Sequence, residues 1–223
     1  MFVGYKRLKI TPFDETGKAG TTIIVQGDPH KGATVTAEIS GLAKDPVKVA
    51  GSDIDYYLSR QGLGDAKVAL GILDLPEETA DLLSGFKTDE NKISYGGADT
   101  LPPYCSVEME SVEDTGETAL VGFYRSTFTR DKIDMNTLDS SKSFTPEADS
   151  WTLTPISSTS EGVTNGEVMQ KYVGKDAAAI TAFEKQLSIT TENSSTTNSG
   201  ASSSAPASSG ASSAASSAAS GAE

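Results

Sequence analysis

A single cysteine, a single histidine and no long apolar run set the first limits on this chain of 223 residues. Cys105, being alone, cannot build an intramolecular disulfide framework, and such scarcity fits synthesis in a reducing cytoplasm. His30, between Pro29 and Lys31, has no partner at the spacing a metal site or a base-activated nucleophile needs, so it reads as a surface histidine. No stretch approaches the ~18 apolar residues of a membrane-spanning helix. The opening Met1-Phe2-Val3-Gly4-Tyr5-Lys6-Arg7 places its charge after its apolar residues and has no apolar h-region, so no secretory signal is expected. A soluble chain without a membrane partner follows as the expectation. Basic residues are also short: 18 Lys and Arg stand against 31 Asp and Glu, for a formal net charge of −13. That balance excludes gripping nucleic acid by neutralising phosphates, although it leaves room for enclosing nucleic acid without gripping it.

Large side chains are missing from one whole segment. From Ser194 to Ala222 every residue is Ser, Thr, Asn, Gly, Ala or Pro, so nothing there can offset the entropy of ordering it. We therefore expect two parts, a folded domain over 1–191 and a flexible tail over 192–223. Glu192 and Glu223 are the only charged residues of the tail, which leaves −11 on the domain.

What the domain has in quantity is strand pattern. The organising stretch lies within 101–138, where Tyr104 to Glu110 predicts a strand, Val112 to Glu117 an acidic turn, and Thr118 to Thr129 a longer return strand. Leu120, Gly122 and Tyr124 fall on one face of that return strand and Ala119, Val121 and Phe123 on the other. Both faces carry apolar groups, which places the hairpin in the middle of a sandwich or barrel. Around it, Phe2 to Phe13, Thr21 to Gln26, Thr34 to Ser40, Ala66 to Leu73 and the stretch around Trp151 and Leu153 all predict strands. In the third of these, Val35, Ala37 and Ile39 are expected inward. Phe128 to Leu138 reads as a continuing or new strand, with Ile133 and Met135 facing one way.

Two helices complete the reading. One is short, opened by Pro76-Glu77-Glu78 and stopped by Gly85. The other runs to about Leu187 behind an Asp176 N-cap, with Ala179, Ile180, Phe183 and Leu187 on an apolar face that should close the core. Seven to nine consecutive strands with two helices argue for a mainly β fold, an antiparallel β-sandwich or barrel with helical trim.

Gly41 to Asp65 stands out as an overlong connection, in which Val47-Lys48-Val49 and Asp55-Tyr56-Tyr57-Leu58 could each form a short strand. Such a length marks a functional loop or a projecting hairpin. The paired tyrosines belong either to a satellite packing cluster or to a subunit contact. Cys105 sits at an inward strand position and reads as an inert thiol. Gly62-Leu63-Gly64 lacks the helix and Lys-Ser/Thr ending of a phosphate loop. Glu108, Glu110, Glu113 and Asp114 lack calcium-loop spacing and read as a solvated acidic rim. No catalytic residue, cofactor or metal is expected, and an enzyme is the least supported reading.

Several pieces together resemble a known family: Lys6-Arg7-Leu8, Thr11-Pro12-Phe13-Asp14, Tyr56-Tyr57-Leu58-Ser59-Arg60-Gln61-Gly62, Gly64-Asp65-Ala66-Lys67-Val68, Leu73-Asp74-Leu75-Pro76, Pro102-Pro103-Tyr104 and Gly122-Phe123-Tyr124-Arg125-Ser126-Thr127-Phe128. Their order is similar to that in the major tail protein, or tail tube protein, of long-tailed phages of Gram-positive bacteria. The resemblance implies a β-sandwich subunit with a flanking helix, made in the host cytoplasm and assembled as stacked hexameric rings into a virion tail tube that conducts the genome. It implies as partners the chain itself, the tail terminator, tape measure and baseplate proteins, and double-stranded DNA that passes without specific binding. By position the inter-subunit contact is Tyr56, Tyr57, Leu58 and Arg60. The alternative is a β-sandwich binding module, an adhesin or capsid decoration protein with a Ser-rich stalk. Cutting the chain after Thr191 should leave the unfolding midpoint unchanged, a comparison made by circular dichroism in urea; a large loss would move the domain boundary.

Overall fold

The computed structural model describes residues 1–188 except Arg60, Gln61, Asn136, 138–140, Lys142 and Phe144, so the Ser/Ala-rich tail of 192–223 lies outside the described residues. In chain order the elements are β1 (Phe2–Pro12), β2 (Ile23–Val25), β3 (Ala33–Ser40), β4 (Val47–Gly51), β5 (Ile54–Ser59), β6 (Lys67–Leu73), α1 (Glu77–Ser84), β7 (Lys87–Thr88), β8 (Ser94–Tyr95), β9 (Cys105–Glu113), β10 (Thr118–Arg130), β11 (Asp149–Ile156), β12 (Met169–Gly174) and α2 (Ala177–Gln186). The fold is mainly β and antiparallel. Eight strands make one sheet in the order β2-β1-β9-β10-β11-β6-β3, with β12 added beside β10. Two small hairpins, β4–β5 and β7–β8, stand apart from it.

The expected hairpin is the centre of that sheet. β9 runs on to Glu113, so the turn is shorter than expected, closed where the Glu113 amide donates to the Glu117 carbonyl at 2.8 Å with Gly116 at φ +78°. β10 serves three partners. β9 lies along one edge; on the other, β12 pairs with Thr118–Phe123 and β11 takes over from Arg125 to Arg130. The β9 register shifts between Phe123 and Ser126, where the handover falls. A shift of this kind bends a strand and raises its twist, and the sheet curls until β3 returns to β1, where the Thr34 hydroxyl donates to the Tyr5 carbonyl at 2.8 Å. The enclosed face holds the main core, including Leu8, Ile10, Val107, Phe123, Phe128, Trp151 and Leu153.

Helix α1 presents Ala80 and Leu83 to this core and ends at Gly85, in the left-handed region as its position predicts. Helix α2 covers the outer face of the sheet. Asp176 caps it by accepting from the Ala178 amide at 2.9 Å, and Phe183 and Leu187 pack on Leu120. Gly122 makes that contact possible for steric reasons: a Cβ there would lie 2.6 Å from Leu187 Cδ1 and 3.1 Å from the Phe183 ring.

Three expectations need correction. Val35 is 45% exposed, at the β3–β6 register shift between Thr34 and Thr36, and Ala37 is exposed too, on a strand at the end of the sheet order. No strand covers 131–135, where Ile133 and Met135 are exposed. β10 ends at Arg130, opposite Trp151, and its guanidinium is tied back to Asp149 at 2.9 Å, so the chain leaves the sheet there. Finally, the strand count is twelve among the described residues rather than seven to nine. The additions beyond nine are β7, β8 and β12, the last with a Met-Gln-Lys-Tyr-Val-Gly that alternates too weakly to stand out.

Replacing Gly122 with Val should cost about 1–3 kcal/mol through overpacking, read as a lowered urea midpoint, together with faster proteolysis at α2. An unchanged midpoint would mean that α2 does not sit against this strand.

Candidate functional site

The segment 41–65 rises from the sheet as a two-stranded arm. Its alternating β-branched and aromatic residues favour strands, and β4 and β5 pair Val47 with Ser59, Lys48 with Leu58 and Val49 with Tyr57. Gly51 pairs with Ile54, leaving Ser52 and Asp53 as a two-residue tip with φ of +55° and +62°. Positive φ at both positions is the turn whose twist matches that of a hairpin. At the base the two chains pass very close. A Cβ on Gly41 would lie 2.0 Å from the Asp65 carbonyl oxygen, and one on Gly64 would lie 2.5 Å from that of Gly41. Leu63 of the Gly62-Leu63-Gly64 run bridges Ala43 in this neck, a structural role that leaves no phosphate cradle.

The arm is apolar on both faces. Val49 and Tyr57 lie opposite each other on one face, while Leu58 and its neighbour but one, Tyr56, share the other. Tyr56 is 80% exposed, and Val47, Val49, Ile54, Tyr57 and Leu58 are each more than half exposed. The expected contact residues Tyr56, Tyr57 and Leu58 therefore come together on one exposed element, and Arg60 lies outside the described residues. A satellite packing cluster is overturned for these tyrosines, because neither joins a core cluster.

Of the carboxylates read as a solvated rim, Asp114 is exposed and Glu113 partly so, but Glu108 and Glu110 are covered and paired. Lys9 faces Glu108 and Arg7 faces Glu110 across the β1–β9 ladder, and opposite charges in such positions stabilise the pair. Lys9 Nζ lies 2.9 Å from a Glu108 oxygen and also contacts Glu184 of α2, with both Lys9 and Glu108 almost fully buried. Arg7 donates to Glu110 at 2.8 Å, and Glu113 and Asp114 approach the Met1 amine. Burial pushes the Glu108 carboxyl up, with the Lys9 ammonium opposing it. Sequence reasoning missed this pairing because β1 and β9 lie about a hundred residues apart. The signal was present in Lys9, a polar residue between Leu8 and Ile10 on a strand buried on both sides.

The remaining candidates are quiet. His30 is exposed, 3.9 Å from Asp74. Cys105 is buried, and burial pushes its thiol up to about 12, far from a reactive thiolate. Among the described residues, no three His, Cys, Asp or Glu side chains converge as a metal site, and no helix is long and apolar enough to cross a membrane.

An exposed apolar arm on a curled antiparallel sheet is the feature to be explained. A family model described as phage tail tube protein matches residues 4–202. The chain belongs to the phage tail tube protein family. No individual curated protein matches it. Membership makes this chain a structural component of the virion tail, one that assembles with itself and with other tail proteins.

Removing the central cation tests the folding half. Lys9→Met should cost about 3–5 kcal/mol, because it strands Glu108 in an apolar interface. Replacing Glu108 and Glu184 with Leu in the same chain should recover most of the loss in urea titrations. Equal stability of Lys9→Met and the parent chain would contradict the ladder.

Proposed function

We propose that this tail tube subunit closes into hexameric rings, that the rings stack into a hollow tube, and that the phage genome leaves through the lumen. The observation that carries the reading is the arm of 47–59. Its large apolar side chains on two faces form a patch that monomeric proteins rarely leave open, and a two-stranded hairpin is marginal on its own. Other subunits would cover it. Tyr56, Tyr57 and Leu58 are its contact residues, with Arg60 beside them in sequence.

The net charge supports passage rather than binding. With −11 on residues 1–191, a lumen lined by carboxylates repels DNA phosphates, and the genome slides without the ion pairing that makes binding adhesive. The tail terminator, tape measure and baseplate proteins are the partners at the tube's ends and within it. Assembly takes place in the host cytoplasm. Residues 192–223, too poor in large side chains to pack, form a tail outside the folded unit of 1–191.

Negative-stain microscopy of the purified protein at high concentration should reveal rings and tubes. Replacing Tyr56 and Tyr57 together with Ser should leave the far-ultraviolet circular dichroism unchanged. Each ring buried between subunits contributes about 2 kcal/mol to association, so truncating both should raise the concentration needed for assembly by about 1000-fold. Normal tubes from that variant would remove the arm from the interface, and a persistent monomer of the parent chain would sink the reading.

A further inference from the structure

A cleft of about 920 Å³ opens beside the end of α2, walled by Phe13, Phe86, Leu101, Pro102 and Tyr104 among others. Leu101 is 81% exposed and Tyr104 41%, so part of this wall is apolar surface turned to solvent. The Arg125 guanidinium lies 3.8 Å over the Tyr104 ring at one side, and Lys87 lines the cleft as well. Neither cation has an ion pair among the described residues. Asp14, Glu15 and Asp99 also line it. The Asp14 carboxylate is already engaged, accepting from the Thr16 hydroxyl at 2.6 Å and from the Thr16 and Lys18 amides at 2.9 Å.

We infer that this cleft is the seat for the β4–β5 arm of a second copy of the chain. The inference rests on the tube reading and names the receiving surface that reading requires. Subunits joined head to tail in a ring or stack need two different patches on one chain, a donor and an acceptor. The arm contributes no residue to the cleft wall, so the two patches are separate. Apolar surface meets apolar surface, since the arm offers Ile54 and Tyr56 and the cleft Phe13, Phe86, Leu101 and Tyr104; the acidic tip Asp53 would meet Arg125 and Lys87 in a lining that also holds Asp14, Glu15 and Asp99. Their extent is adequate too. Six large side chains, each more than half exposed, supply about 500 Å² at the usual size of such groups, a large share of the ~800 Å² that each partner gives to a stable interface. Both surfaces are pre-formed, the tip by its two-residue turn and Arg125 by its stacking on Tyr104, which lowers the ordering cost of docking.

Because Cys105 is fully buried, introduced cysteines are the accessible thiols. Ser52→Cys at the arm tip of one chain and Asp99→Cys at the cleft of another can be mixed at assembling concentration and treated with a short bis-maleimide. The mixed dimer should exceed, by about tenfold, that from Ser52→Cys mixed with Val163→Cys, an exposed position outside the cleft wall. Mixed dimer at the control level, in samples where microscopy finds rings and tubes, overturns the cleft and leaves the tube reading standing. Dimers only between two Ser52→Cys chains overturn it in favour of an arm-to-arm contact. Absence of both assembly and dimer overturns it along with the tube reading.

Discussion

The structure depends on burying one strand from both sides. β10 turns Val121 and Phe123 into the main core and Leu120 towards α2, so it is stable only if both faces are covered. Covering the outer face requires a helix to approach closely, and Gly122 supplies the space. The same outer face carries the Lys9–Glu108 pair, and Glu184 of α2 reaches the same ammonium. A buried pair of this kind adds little net stability over an apolar substitute, but breaking it is costly. The pair sits where Lys9 faces Glu108 in the β1–β9 register, and its contact with Glu184 joins α2 to both strands.

That closed unit explains why the apolar groups left outside it are informative. A domain that satisfies β10 on both faces, caps α2 with Asp176 and pairs Arg7 with Glu110 has little reason to expose Tyr56, Tyr57, Ile54 and Leu58 on a single projection. The glycine neck at Gly41 and Gly64 holds the two chains of the arm together at its base, so the arm leaves the sheet as one element. In a chain of the phage tail tube family, we propose that this element holds its apolar surface for other copies.

Much of this was legible in the residues because it is local. The period of two in Thr118–Thr129, the acids after Pro76, the Asp176 cap and the overlong segment with its adjacent tyrosines each mark their structure within a few positions. Three features were not legible because they depend on distant partners. Val35 looks inward by alternation, yet a register shift against β6 turns it out. Glu108 looks like part of a wet rim, yet β1 and α2, from opposite ends of the chain, bury it. The cleft is hidden for the same reason, since Phe13, Leu101 and Leu187 meet only in the fold.

The arm is solvent-exposed in the single chain, and we propose that other copies cover it in the tube. Hydrogen exchange on free and assembled protein tests it most directly. The account expects amides of Val47–Ser59 to exchange at least about tenfold more slowly in the tube, with the already buried β9 and β10 little changed. Tubes in which the arm exchanges as fast as in the free chain would contradict it.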